Sequence, residues 1–596
     1  MLIGKYLNKY YKRYLPLFII GIIALVAVDY VNTEIPLILG EIVNNFEMYQ
    51  SNTMPLLDLA LKVVVFAACI FVGRIIWRIA IFRASVRIQA GLRKDMFLKA
   101  ERLSTTYYHD NKVGNIMAWF TTDIETIGDY FSWGTVMLID AFFLTGIVIY
   151  KMITVSGWLT LFAAIPIFLI VVWGFFVEKI MGKQWDDRQV AFDALYDFAN
   201  ENFTGIRVIK AFVKEHQEIN AFRKVAIRNK DVNYKFAKTS VIFDVILESV
   251  IFLVLGLIFG LGAYFAVANA HGNPIVIGGT PVDLRIGDVV AFSGLFDTLI
   301  WPMIALGQIV IMRSRSKTSL KRITHFLDSP EDIQNPENPI VLKDVKGEIE
   351  FRNFSFQYAD DNKPILNNIS FKIMPGETIG IVGRIGAGKT TIMNILMRLY
   401  NVAPNTVFID GNDIMSCDIE SLRNNIAYAP QDNFLFSDKI AKNIAFSVSN
   451  EENSKIIEAA KFADVHDNIY EFPNGYDTIS GERGVTLSGG QKQRISLARA
   501  FYKHAPIMIM DDTVSAVDIR TEENILDHIA KEREGMTTVV IASRVSTVKN
   551  MDKILVLANG GIDAFGSHDE LIKTSKVYQK MVFLQQLEEE VEGGKK

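Results

Sequence analysis

Cysteine is scarce in this chain, and so is any excess of charge. Only two of the 596 residues are cysteines, Cys69 and Cys417, and they lie far apart in different regions. A disulfide framework is therefore not expected, and neither thiol has neighbours at metal-ligand spacing. The formal net charge is −4, which gives no reason to expect a nucleic-acid partner.

The N-terminus lacks the small-residue cleavage site that ends a secretory signal peptide. Basic and aromatic residues alternate there and precede an apolar run over about 15–39, which is too long for the core of such a peptide. We therefore expect residues 3–14 to form an amphipathic elbow helix at the inner membrane surface. The alternative is a solvated tail.

Half of the residues are hydrophobic, and the long apolar runs are concentrated in the first half. A bilayer is crossed by about 20 apolar residues in a helix. Six stretches satisfy this requirement, near 15–39, 56–82, 128–152, 157–180, 240–269 and 286–312. The length of the chain also predicts two or more domains. The first, residues 1–327, is expected to be an all-α, six-helix transmembrane domain.

Lysine and arginine distribution orients these spans. The first connection, 41–55, contains neither residue, whereas the second begins with six of them between positions 83 and 102. Positive residues mark the cytoplasmic side, so both termini are expected inside. The connections 83–127 and 181–239 read as continuous helix that projects beyond the lipid. Gly114 and Gly205 mark bends where short cross-helices could touch a soluble domain.

Carboxylates inside the apolar spans have two readings. They could line a pathway that favours cationic amphiphiles, because ionisable groups in a membrane usually face a cavity or a partner. The alternative is that they are helix-end residues near water or members of structural pairs with basic groups. The six residues concerned are Asp29, Glu34, Asp140, Asp244, Glu248 and Asp297.

After residue 327 the composition changes to ordinary α/β sequence. A polar, proline-broken linker over 328–345 leads to a predicted nucleotide-binding domain at 346–585, and a polar tail follows at 586–596. A strand-like segment, 378–382, runs into GRIGAGKT at 383–390 and then into a helix-like segment. This is the setting that a phosphate-binding P-loop requires. The second half is therefore expected to be an α/β P-loop domain that binds ATP with Mg²⁺.

The P-loop motif predicts roles for several residues. Backbone amides of the glycine loop approach the phosphates, Lys389 reaches the outer phosphates, and Thr390 can ligate Mg²⁺. Asp511 ends a buried strand, 507–511, that points to the Mg²⁺ side. The loop residues expected to bind ATP are Gly383, Arg384, Gly386, Ala387, Gly388, Lys389, Thr390 and Thr391.

A second motif, LSGGQ at 487–491, precedes a helix that carries Arg494 and Arg499. The hydroxyl of Ser488 and the amides that follow it form an anion site at a helix N-terminus. A single chain has no second nucleotide to place there. The target expected for Ser488, Gly489, Gly490 and Gln491 is therefore a γ-phosphate that another P-loop domain holds.

These motifs together resemble a half-transporter of the ATP-binding cassette (ABC) exporter family, over nearly the whole chain. The segments 107–123 and 201–215 are similar to the cytoplasmic loops of that family. The resemblance implies that Tyr358 stacks on adenine and that Gln431 senses Mg²⁺ and contacts the membrane domain. It also implies that 479–484 lies near the cross-helices and that 515–518 communicates between two nucleotide sites.

Two residues depart from the pattern of the family's hydrolysing members. Asp512 stands where they have a glutamate that polarises water, and a general base of this kind contributes about 10²–10⁴-fold. Ser543 stands where they have a histidine that contacts the γ-phosphate. Both changes affect the same step, whereas LSGGQ is unaltered. The resemblance then implies a heterodimer in which this chain builds the slow site and completes the fast site of a different half-transporter.

The function expected is ATP-driven export of hydrophobic or amphiphilic compounds by an integral membrane protein, with its nucleotide-binding domain in the cytoplasm of a bacterial cell. A homodimer with two weakened sites is the alternative assembly. Lipids, peptides or metal chelates are alternative cargoes, and an ATP-gated channel or regulator is an alternative function class. Nucleic acid is not an expected partner.

Overall fold

The computed structural model describes residues 4–51, 53–277, 279–359, 361–448, 451–481, 484, 486–515 and 517–593. The chain forms two compact units, Met1–Leu98 with Gly114–Asp328, and Lys99–Val113 with Ser329–Lys596. The first is helical apart from a short hairpin, Val276–Ile277 with Thr280–Pro281. The second is an α/β unit. This confirms the predicted fold class.

The first unit consists of long apolar helices and shorter helices between them. Their bounds are Asn8–Asn32, Glu34–Asn44, Phe46–Ser51, Met54–Ala100, Val113–Ala118, Ile124–Phe131, Trp133–Ile139, Thr145–Val155, Gly157–Thr204, Ile206–Ala211, Glu215–Ala270 and Ile286–Asp328, with π-helical turns at Trp119–Asp123 and Asp140–Leu144. Among the described residues, five helical stretches are long and apolar enough to cross a membrane. The sixth predicted span, 157–180, lies in Gly157–Thr204, where several side chains fall outside the described residues.

Close packing in the first unit depends on small residues. A Cβ at Gly40 would lie 2.5 Å from the carbonyl oxygen of Gly287, so the helices Glu34–Asn44 and Ile286–Asp328 touch backbone to backbone. Asn44 locks this crossing, because its Oδ1 accepts from Gly287 N at 2.7 Å and its Nδ2 donates to Asp288 at 2.9 Å. Glycine has no side chain, so glycines at a crossing let two membrane helices approach closely.

A buried carboxylate joins two helical segments of the first unit. Asp123 accepts from Ser319 at 2.8 Å and from the guanidinium of Arg322, which it binds through both oxygens. The pairing fixes the π-helical turn at Trp119–Asp123 against the end of Ile286–Asp328. A two-oxygen arginine pair is geometrically specific.

The predicted boundaries need three corrections. No separate elbow helix covers 3–14, because Asn8–Asn32 runs without a break from the basic segment into the first span; residues 1–3 lie outside the described residues. The tail predicted at 586–596 is helical up to residue 593, as part of Lys576–Gly593. The first cross-helix, Thr105–Asp110, belongs to the second compact unit, although the sequence assigned it to the membrane domain.

The linker is held in place by hydrogen bonds to the second unit. Asp332 accepts from the Ser104 hydroxyl at 2.9 Å, and its carbonyl accepts from Asn401 at 2.6 Å. Arg398 donates to the carbonyl of Gln334 at 2.8 Å. The proline-rich composition predicted an absence of regular structure here, and this is observed. The backbone carbonyls of Asp332 and Gln334 nevertheless accept hydrogen bonds from side chains of the second unit.

Two sheets organise the second unit. The larger has six strands in the spatial order Gly561–Gly566, Lys553–Ala558, Thr378–Gly383, Thr537–Ile541, Ile507–Asp511 and Ile426–Ala429, parallel except for the first pair. The smaller is antiparallel, in the order Leu366–Ile373, Ile349–Phe356, Val407–Ile409 and Asn412–Asp413. Parallel strands covered on both faces are apolar throughout, and every residue of Ile507–Asp511 is buried.

The helices of the second unit cover these sheets. After the first cross-helix, the α-helices are Lys389–Leu396, Ile419–Asn424, Ile440–Ile444, Asn453–Phe462, His466–Tyr470, Gly489–Tyr502, Ile519–Glu532, Val545–Val548, His568–Thr574 and Lys576–Gly593. We call Gly489–Tyr502 the signature helix, Val545–Val548 the switch helix and Lys576–Gly593 the C-terminal helix.

Candidate nucleotide site

The phosphate loop joins the strand Thr378–Gly383 to the helix Lys389–Leu396. Gly388 has φ +91°, and a Cβ there would lie 2.6 Å from the side chain of Leu366, so only glycine fits. The ammonium of Lys389 donates to the carbonyls of Gly383 at 2.9 Å and Arg384 at 3.3 Å, which curls the loop around it. Burial lowers the pKa of Lys389. The loop has the form that cradles phosphate.

Tyr358 stands beside this loop. Its hydroxyl is 3.0 Å from the hydroxyl of Thr391, and the two are hydrogen-bonded. Its ring makes edge-to-face contacts with Phe356 and Tyr400, at centroid distances of 5.0 and 5.3 Å. These contacts fix the position of the ring that the family resemblance assigns to adenine.

Asp511 lies at the end of its strand with 1% of its surface exposed. Burial is the main reason that the pKa of its carboxyl is raised, while hydrogen bonds from Thr390 and Tyr428 oppose the rise. The Thr390 contact unites the two predicted Mg²⁺ ligands of the P-loop and the strand. Hydroxyl and carboxylate oxygens are the donors that Mg²⁺ prefers, so these residues fit a Mg²⁺ ion, whose charge would offset the cost of burying the Asp511 carboxylate.

Asp512 is the centre of a small polar network. Its Oδ1 accepts from the Ser543 hydroxyl at 3.2 Å, and its Oδ2 is 3.5 Å from Gln431 Nε2. Its carbonyl accepts from Gln493 at 2.8 Å and from Ser515 at 2.9 Å. The backbone adopts φ +50°, which aspartate tolerates better than most residues. The structure therefore brings Gln431, Asp512 and Ser543 together, as their predicted roles require.

The signature segment begins its helix with a complete capping box. Ser488 Oγ accepts from Gln491 N at 3.3 Å, while Gln491 Oε1 accepts from Ser488 N at 2.9 Å. This reciprocal arrangement fixes the serine at the helix N-terminus. The side chain of Ser488 and the backbone of Gly489 remain exposed, where a ligand can reach them.

Arg499 lies near the C-terminal end of the signature helix and anchors it. It donates to the carbonyl of Asn443 at 2.8 Å and to that of Phe434 at 3.0 Å, and its guanidinium lies 5.4 Å from the ring of Phe446. Burial lowers its pKa to about 10. The residue thus has a structural role in orienting the helix that presents Ser488.

The remaining predicted loops are described only in part. Glu482, Arg483 and Ala516 lie outside the described residues, as does Val485. In the loop 515–518, Asp518 caps the helix Ile519–Glu532 by accepting from Thr521 N at 3.1 Å.

Two site residues escaped the sequence reasoning. Gln493 binds the carbonyl of Asp512, and Tyr428 lies 3.5 Å from Asp511. Both partners are distant in sequence, and no local pattern distinguishes these residues. The one available signal is proximity to residues already singled out: Gln493 lies two residues after LSGGQ, and Tyr428 lies three residues before Gln431.

Carboxylates of the membrane unit fall into two groups. Glu34 binds Lys151 at 2.7 Å, and Asp140 accepts from the indole of Trp301 at 2.7 Å with Asp29 beside it. Glu34 thus forms the predicted pair with a basic residue, whereas Asp29 and Asp140 lie beside each other and the indole of Trp301. The other group, Asp244, Glu248 and Asp297, is exposed on the surface of this chain.

Comparison with known proteins decides the family. A profile described as "ABC transporter transmembrane region" matches residues 18–303, and one described as "ABC transporter" matches residues 366–515. The chain is 31% identical over 593 residues to the Bacillus subtilis protein named "Probable multidrug resistance ABC transporter ATP-binding/permease protein YheI", covering 99% of both. The chain belongs to the ABC transporter family.

Two further relatives give the same result. The Escherichia coli protein named "Multidrug resistance-like ATP-binding protein MdlA" is 31% identical over 589 residues, covering 98% of this chain and 96% of its own. A solved structure described as a bacterial Atm1-family ABC exporter with ATP bound superposes with a TM-score of 0.76 at 25% identity, over 97% of this chain and 99% of that one. This ABC transporter is an integral membrane ATPase that couples hydrolysis to transport.

Proposed function

We propose that this ABC transporter chain is one subunit of a heterodimeric exporter of hydrophobic or amphiphilic compounds, and that its own P-loop builds the slower of two ATP sites. The observation that carries the proposal is the network at Asp512. Its carboxylate is bound by Ser543 at 3.2 Å and lies 3.5 Å from Gln431. It is also one methylene shorter than glutamate, and a displacement of about 1 Å can cost on the order of 10²-fold in rate.

Ser543 weakens the same step. A serine hydroxyl is shorter than an imidazole and carries no charge, so it is a poorer partner for the γ-phosphate. Here the hydroxyl donates to Asp512. Lys389, Thr390 and Asp511 nevertheless retain the groups that hold ATP and Mg²⁺. Binding without rapid cleavage is the expected result.

The signature segment supports a role in a second site. Ser488 is fixed by its capping box and exposed, and preorganised donors aimed at developing charge are the main source of electrostatic catalysis. Ser488 would therefore contact ATP bound by the partner subunit.

A second subunit also explains the exposed cross-helix. Ile206–Ala211 has no buried residue, and the apolar side chains of Phe212 and Val213 that follow it are 70% and 79% exposed. Exposed apolar groups at a cytoplasmic loop favour a protein partner. The relatives named as multidrug proteins support the cargo class.

The cargo is expected to include cationic amphiphiles. Asp244 and Glu248 stand one helical turn apart on Glu215–Ala270, and Asp297 lies on Ile286–Asp328; all three are exposed. A carboxylate that faces lipid is costly, so these side chains are better placed in a water-filled cavity.

The decisive experiment begins with the purified chain alone. It should bind ATP but release phosphate slowly, and co-expression with a second half-transporter should restore rapid turnover. Removing the partner subunit's catalytic glutamate should then abolish nearly all turnover, whereas Asp512→Ala should leave most of it. Rapid turnover by the chain alone would refute the proposal, and the opposite ranking of the two variants would reverse the assignment of the sites.

A further inference from the structure

The switch helix has an unusual N-terminal cap. It begins two residues after Ser543, and the first backbone amides of any helix lack partners within it. The residue at the N-cap, Arg544, supplies no side-chain bond. Instead Gln585 Oε1, 40 residues further along the chain, accepts from Val545 N at 2.7 Å and from Ser546 N at 3.3 Å.

Gln585 also uses the other end of its amide. Its Nε2 donates to the Ser546 hydroxyl at 2.6 Å. One side chain therefore engages three groups in the first turn of the switch helix. A helix cap contributes to stability because it satisfies amides that would otherwise stay unpaired, and this cap comes from the C-terminal helix.

The C-terminal helix is itself well anchored. Tyr578 is fully buried, and its hydroxyl is hydrogen-bonded to His568 Nδ1 at 2.7 Å. It packs in an apolar cluster with Val382 and Ala542. Val382 directly precedes the phosphate loop and Ala542 directly precedes Ser543, so the helix packs beneath both parts of the nucleotide site.

A continuous set of contacts links this helix to the site. Gln585 caps the switch helix, the switch helix follows Ser543 without a break, and Ser543 donates to Asp512 at 3.2 Å. We propose that Gln585 is a positioning residue that holds Ser543, and through it Asp512, on the γ-phosphate side of the nucleotide in this chain. The inference rests on the proposed function only for placing Ser543 next to that phosphate.

The chemistry of the cap defines an informative pair of variants. Gln585→Glu keeps an acceptor for both amides, and the Ser546 hydroxyl can donate to it; a negative charge at a helix N-terminus is also favourable. Gln585→Leu has similar size but makes none of these bonds. Gln586, the next residue on the same helix, is exposed, so Gln586→Leu is a matched control.

The test measures ATP and ADP affinity in the purified full-length chain, by competition against a fluorescent nucleotide. Gln585→Leu should weaken ATP binding roughly tenfold, the loss expected for one helix cap, and leave ADP binding unchanged because ADP lacks the γ-phosphate. Gln585→Glu should restore the ratio of ATP to ADP affinity. Gln586→Leu should match the unmodified chain.

Three results would overturn the proposal: an unchanged ratio in Gln585→Leu, an equal loss for both nucleotides, or the same change in Gln586→Leu. An equal loss together with a lowered melting temperature of Gln585→Leu would show that Gln585 stabilises the fold and does not act selectively on the γ-phosphate side. This test does not depend on the heterodimer proposal. If the chain alone turned over ATP rapidly, the slow-site proposal would be refuted, but the ratio of ATP to ADP affinity could still be measured.

Discussion

Lengthening the carboxylate at position 512 and adding an imidazole at position 543 should accelerate the chain's own ATP site in a non-additive way. The two side chains are hydrogen-bonded at 3.2 Å, and substitutions within one such network rarely combine independently. Asp512→Glu alone should raise turnover by at most on the order of 10²-fold, because it recovers about 1 Å of reach. Ser543→His alone should do little, since the short carboxylate still fails to polarise water.

The double variant should exceed the product of the two single effects and approach a gain of about 10²–10⁴-fold, the usual contribution of a positioned general base. The assay is single-turnover phosphate release from a heterodimer whose partner subunit lacks its catalytic glutamate, so that only this site reports. Asp512→Asn is the matched control, because it keeps the size of the side chain and removes the base. Two effects that simply multiply, or an unmodified site already as fast as the double variant, would refute the reasoning.

Further predictions concern Asp511, Ser488 and Arg533. Because burial raises the pKa of Asp511, the folded chain binds this proton more readily than the unfolded chain, and the group's contribution to stability falls as pH rises. Asp511→Asn should therefore raise the melting temperature at neutral pH by about 2–4 °C per kcal/mol relieved, while Mg²⁺-dependent hydrolysis is lost. Ser488→Arg should reduce heterodimer turnover on the order of 10²–10³-fold, yet photolabelling of this chain by ATP should persist. Arg533, 3% exposed, donates to three backbone carbonyls and to a threonine hydroxyl; Arg533→Met should destabilise the second unit by about 1–3 kcal/mol for each carbonyl left unpaired, measured by thermal melting.

Local patterns in the chain were enough for much of the second unit. The strand predicted at 378–382 lies within Thr378–Gly383, and the one predicted at 507–511 is Ile507–Asp511. Both are apolar runs that can be recognised within a single continuous segment of the sequence. The glycine loop and LSGGQ could be recognised for the same reason, because all residues of each motif lie in one continuous segment.

Long-range contacts account for what escaped that reasoning. The elbow was expected to be separate from the first span because its composition differs, yet one helix, Asn8–Asn32, joins the basic segment to the first span without a break. The linker was expected to be irregular, and only its hydrogen bonds to Ser104, Asn401 and Arg398 reveal that it is held. Amino-acid composition indicates local structural preference, but it does not show which residues distant in the sequence come into contact.

The amino-acid sequence by itself determined that this chain has apolar helices, a P-loop, a buried strand that ends in Asp511, and an aspartate and a serine at positions 512 and 543, to which the family resemblance assigns expected roles in hydrolysis. Only the tertiary structure decided that the Ser543 hydroxyl donates to Asp512 and that Gln585, on the C-terminal helix, caps the switch helix. The physical reason is that hydrophobic periodicity and loop chemistry act over a few residues, whereas a hydrogen bond across 31 or 40 positions exists only after the sheet and its covering helices have brought those positions together.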